Sequence, residues 1–103
     1  MKYAIKEQDR KNDQYYEFRK GPHSPWRWRL DSMDVAQDVF RSQGLAELFT
    51  TVFPDFPEVP YVEVNEEQWQ RLLRSGNPVL QELDPYVQSA FAYAPVFTLY
   101  APK

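Results

Sequence analysis

Apolar side chains recur at every second position in several short runs of this chain, and at every third or fourth position between them. In Tyr61-Val62-Glu63-Val64 the valines point one way and Tyr61 and Glu63 the other, the pattern of a strand buried on one face. Asn65 follows, with a short amide suited to the free N–H groups of a starting helix, and Gln68 stands where it can reach back. Glu66 and Glu67 fall in the first turn, where the helix dipole favours carboxylates. Trp69, Leu72 and Leu73 share a helical face, Arg71 and Arg74 lie near the C-terminal end, and Gly76 is a left-handed stop. The stretch therefore predicts a strand running directly into a helix.

The same two periods organise the rest of the chain. Tyr3-Ala4-Ile5 reads as a first strand, and residues 7–14, polar throughout, as an exposed loop. In residues 15–20, Tyr16 and Phe18 take one face and Glu17 and Arg19 the other. After the turn residues Gly21 to Pro25, the run Trp26-Arg27-Trp28-Arg29-Leu30 alternates most sharply. These two runs are expected to pair as an antiparallel hairpin, tryptophans inward, with Glu17 close to an outward arginine. Asp31-Ser32 looks like a cap for a helix carrying Met33, Ala36 and Phe40, and Leu45, Leu48, Phe49 and Val52 form a second stripe. The two stripes point about 140° apart at ~100° per residue, so the helix is expected to break at Gly44.

Three prolines between Phe53 and Pro60 exclude helix and central strand, and predict a semi-rigid connector whose phenylalanines cover a core edge. Asn77-Pro78 caps a short helix, Asp84-Pro85 restarts it, and Tyr86, Val87, Ala90, Phe91 and Ala94 share a broad face up to Pro95. Residues 96–100 are the last strand. The order predicts one α+β domain over residues 1–103: an antiparallel or mixed sheet of about 4–5 strands with several short helices packed on one face.

Composition changes this picture in three ways. An aromatic share of 17% predicts a core built from Trp, Tyr and Phe. The chain has no cysteine, which excludes disulfides, a thiol nucleophile and zinc–thiolate sites. The N-terminal residues lack the apolar core of a signal peptide and no run approaches the ~18 apolar residues of a membrane span, so a cytoplasmic location and no membrane partner are expected. The net charge of -3 is unevenly spread: residues 1–30 carry eight cations against four acids, and residues 31–103 four cations against eleven acids. Such asymmetry fits a charged partner surface, or two parts that complement each other within the fold.

Few residues offer catalysis. His23 is the single histidine, and its neighbour Ser24 is badly placed for a relay that needs a third orienting group. Asp34 and Asp38 are i, i+4 and read as a solvated helix face, while Glu66 and Glu67 point about 100° apart and read as helix-start residues. The three glycines are too dispersed for a phosphate loop. The expectation is a non-enzyme with no cofactor and no metal.

Two binding surfaces remain. Arg19, Lys20, Arg27 and Arg29, interleaved with Tyr15, Trp26 and Trp28, would suit single-stranded nucleic acid, although inward tryptophans and a pI near 5.1 oppose it. Asp55, Glu58, Glu63, Glu66 and Glu67 cluster around the strand at residue 61 and would form one negative patch. Small acidic domains without catalytic motifs act as plugs on basic enzymes, as immunity proteins do on nuclease toxins; that likeness is one of type and rests on no motif. The expected function is a protein-binding module, an inhibitor or immunity-type protein that holds a basic partner. Nucleic-acid binding is the alternative, and a structural or regulatory subunit the second alternative.

Overall fold

Alternate inward residues assemble a single sheet. In a computed structural model, whose described residues are 2–25 and 31–102, five strands run antiparallel in the order β1-β3-β2-β5-β4. They are β1 (Ala4–Lys6), β2 (Tyr15–Lys20), β3 (Met33–Ala36), β4 (Tyr61–Asn65) and β5 (Val96–Tyr100). The register places Tyr16 beside Val35, Phe18 between Met33 and Leu99, and Val64 beside Phe97. Because side chains alternate across a strand, these apolar residues share one face, and all are buried.

The helices cover that face. They are α1 (Gln37–Ser42), α2 (Leu45–Thr50), α3 (Glu66–Leu73) and α4 (Pro78–Tyr93). The layer between is aromatic, as composition demands. Tyr16 stacks on Phe40 with centroids 3.6 Å apart, Phe18 and Phe97 meet at 5.9 Å, and the Trp69 indole stands edge-on to Phe97 at 5.5 Å. Phe56 of the proline-rich connector sits in the same core against Tyr16, Phe40 and Phe49. The connector thus closes the core edge with its own ring, and fully burying such a side chain contributes about 1.5–3 kcal/mol.

Local chemistry accounts for most element ends. The Asn65 side chain accepts from the Gln68 N–H at 2.8 Å, and the Gln68 side chain accepts from the Asn65 N–H at 2.9 Å, the reciprocal cap that the sequence announces. Gly44 has φ 74, a left-handed turn that separates α1 from α2 where the two stripes part.

Two expectations need correction. Residues 33–36 form a strand, not the first turn of a helix, which begins only at Gln37. Met33 and Val35 turn inward and Asp34 outward, and pairing on both sides with β1 and β2 outweighs the helical spacing of Met33, Ala36 and Phe40. Residues 78–93 are one continuous helix with Pro85 inside it. The exposed proline gives up one backbone bond, while Leu83, Val87 and Ala90 on either side stay buried and hold the helix to the sheet. Finally, β2 takes β3 and β5 as its described neighbours. The hairpin partner expected at residues 26–30 lies outside the described residues.

Candidate functional site

The sheet face turned away from the helices is polar. Register aligns Asp34 of β3, Glu17 of β2 and Tyr100 of β5 in one row, with Arg19, Thr98 and Glu63 in the next. Buried charges need partners, and the segment after β1 supplies them. Arg10 ion-pairs with Asp34 through Nε and with Glu17 at 2.7 Å. Arg19 holds Glu17 at 2.8 Å, pairs with Glu7, and lies 3.8 Å from Asp31. Ser32 Oγ is 2.7 Å from both a Glu7 and an Asp34 carboxylate oxygen.

Two expectations fall here. Asp34 is fully buried, not on a solvated helix face with Asp38, and residues 7–14 are not an exposed loop throughout, because Glu7 and Arg10 turn in under the sheet. Burial opposes the Arg10 charge, yet the hydrogen bonds and charges of Asp34 and Glu17 outweigh it and raise its pKa. Burial also works against the Glu17 charge, but Arg10 and Arg19 together hold its carboxyl below the usual range. Asp34 lies deeper than Arg10, and there burial prevails over the help from Arg10 and Ser32, so its pKa is raised.

Beside this network is a groove of about 600 Å³ lined by Arg10, Tyr15, Glu17, His23, Tyr61 and Tyr100 with neighbouring residues. His23 is fastened across it. Its ring stacks on Tyr61 with centroids 3.9 Å apart, Nδ1 meets Tyr100 Oη at 3.1 Å, and its backbone N–H donates to Glu63 Oε2 at 2.9 Å. Thr98 Oγ1 donates to the Gly21 carbonyl at 2.8 Å, so the turn of residues 21–25 is tied down at both ends of its reach. Its contacts are those of a clasp that sets the turn on β4 and β5.

The five acids singled out by sequence are all exposed. Asp55 and Glu58 lie in the connector before β4, Glu63 on β4 itself, and Glu66 and Glu67 in the first turn of α3. Along the chain they bracket the five-residue strand β4, roughly 16 Å long. Among the described residues only Glu67 of the five has an ion-pair partner, Arg71 at 3.1 Å.

The two described members of the basic set lie on opposite faces of the sheet. Arg19 is buried in ion pairs, whereas Lys20 projects from the opposite face and sits 5.6 Å from the Tyr86 ring centroid. Arg27 and Arg29 lie outside the described residues. Among the described residues no group of three His, Asp or Glu side chains is placed to hold a metal ion, and no helix is long and apolar enough to cross a membrane.

Sequence reading missed the Arg10–Glu17–Arg19–Asp34 network. The only trace of it was the outward alternation of Glu17 and Arg19, since the other members come from distant segments. Comparison with known proteins places nothing beside this arrangement: no family model, no curated protein and no solved structure matches the chain.

Proposed function

We propose that the chain is a non-catalytic protein-binding module that engages a basic partner protein through the acidic side of its sheet, in the manner of an inhibitor or immunity-type protein. One observation carries the reading. Asp55, Glu58, Glu63, Glu66 and Glu67 are exposed along and around a single strand, and four of them have no ion-pair partner among the described residues. Meanwhile Arg10 and Arg19 spend their charge inside the fold on Glu7, Glu17 and Asp34. Of the acids in residues 31–103, these arginines take up Asp34 and, more distantly, Asp31, while the five acids around β4 are left to face solvent. Exposed carboxylates without a cationic partner steer and hold a cationic surface.

The test is capture from the native host with the wild-type chain and with Glu63→Lys/Glu67→Lys. A partner with a basic surface is expected on the wild type, released by salt, and weakened about tenfold or more by the double reversal. No specific partner, or one indifferent to both substitutions, defeats the reading.

A further inference from the structure

The two sides of the sheet differ in what their backbone offers. On the β4 side, the Ala101 N–H donates to the Pro60 carbonyl at 2.9 Å. With Val62 opposite Leu99 and Val64 opposite Phe97, the alternation of an antiparallel ladder turns the N–H and C=O groups of Val62 and Val64 toward β5, and those of Tyr61 and Glu63 outward. Asn65, next in the outward set, gives its N–H to Gln68 Oε1. No described residue takes the outward groups of Tyr61 or Glu63.

On the β1 side the start of the strand is engaged. The Gln37 N–H donates to the Gln14 carbonyl at 2.9 Å, which sets Met33 and Val35 toward β2 and Asp34 toward Ile5 of β1. Ala4 therefore points outward, and its N–H goes to Glu82 Oε2 at 2.7 Å.

We propose that β4 is a docking edge to which an extended segment of a basic partner protein adds as a further strand, with Lys or Arg facing Glu63 and an apolar residue beside Val62. The side chains on the two faces of β4 dictate that pattern. Glu63 is exposed on the polar face, where an opposite charge across the strands is favourable. Val62 is half-buried on the helix face and has apolar surface left to cover. Glu66 and Glu67, in the first turn of α3 directly after β4, extend the attraction beyond that end of the strand. A second copy of this chain is the wrong occupant, because pairing two β4 edges about Glu63 sets carboxylate against carboxylate. The inference rests on the protein-binding reading for the partner's charge, but adds main-chain hydrogen bonds as the means of attachment.

The test uses short capped peptides on the full chain, read by amide NMR. A peptide alternating Lys and Val is expected to bind saturably, to perturb residues 61–65, and to slow exchange of the Tyr61 and Glu63 N–H groups. Methylating the peptide nitrogens that face β4 keeps its charge but removes its donors, and is expected to weaken binding about tenfold. Glu63→Pro, which deletes an outward donor on an edge strand that tolerates proline, is expected to do the same. Should that variant fail to fold, the methylated peptide still decides. Equal binding of the methylated peptide overturns strand addition while leaving the acidic-surface reading intact. A Glu/Val peptide that binds as well as Lys/Val overturns both. No saturable response to Lys/Val overturns the docking edge, as does sedimentation of the free chain as a dimer that Glu63→Pro dissociates.

Discussion

The indole Nε1 of Trp69 donates to Oδ1 of Asp84 at 2.8 Å, tying α3 to α4 above a tryptophan that is wholly buried. The same oxygen accepts from Gln88 at 3.0 Å. Asp84→Ala leaves the indole N–H without a partner in a dry place, and is expected to lower the free energy of unfolding by about 1–3 kcal/mol. Urea unfolding measures it. In a Trp69→Phe background the same substitution is expected to cost much less, because the orphaned donor is gone; an equal cost in both backgrounds contradicts the assignment.

Asp34 is the deepest member of the ionic network. Asp34→Ala leaves Arg10 with Glu17 alone, and is expected to cost about 3 kcal/mol, the lower end for a broken buried pair, because Arg10 keeps one carboxylate and some contact with water. Asp34→Asn, which keeps the shape and an acceptor, is expected to cost less. Chemical denaturation of the two variants gives the order, and a milder loss in the alanine form shows that the ion pair does not hold the sheet face.

Glu82 makes a pH prediction. Partial burial works against its charge, but the N–H groups of Ala4, Lys2 and Tyr3 donate to its carboxylate and lower its pKa. A carboxyl lowered on folding contributes stability that is fully present above its unfolded value of about 4.3 and is lost as pH falls through the folded value. Glu82→Gln is expected to lose stability at neutral pH and to narrow its deficit to the wild type in acid. Asp34, shifted the other way, is common to both proteins and cancels in the difference. Thermal unfolding from neutral pH down to pH ~3 reads the effect, and a deficit constant across that range counts against it.

Phe56 anchors the connector that delivers the chain to β4. Its ring is 1% exposed among Tyr16, Phe40 and Phe49. Phe56→Ala is expected to cost about 3–5 kcal/mol through lost burial and the cavity left behind. Phe53, half-buried against Phe49 at 6.5 Å, is expected to matter less. Denaturant midpoints for both alanine variants test the ranking.

What the chain discloses in advance follows from how far each determinant reaches. The Asn65–Gln68 cap, the Gly44 break and the inward faces of β2 and β4 depend on residues a few positions apart, so they are legible locally. Residues 33–36 satisfy both a helical and a strand spacing, and the choice is made by neighbours on β1 and β2 and by Arg10, whose partner Asp34 is 24 positions away. Pro85 reads as a break because its missing donor is local, whereas the packing that carries α4 through it is not. The ionic network was hidden for the same reason: each charged residue alone resembles a surface group. The acids around β4 were visible as a set, but the outward direction of the Tyr61 and Glu63 backbone follows only from the ladder with β5.

The Glu82 carboxylate, with three main-chain donors from the start of the chain, occupies the outward N–H of Ala4 at one flank of the sheet. At the other flank no described residue takes the outward groups of Tyr61 or Glu63. Under the proposed strand addition a guest enters at the Tyr61–Glu63 margin, and the Glu82 carboxylate at Ala4 obstructs a second one on the far side. A complex built this way is expected to hold one guest for each host rather than to lengthen into fibres.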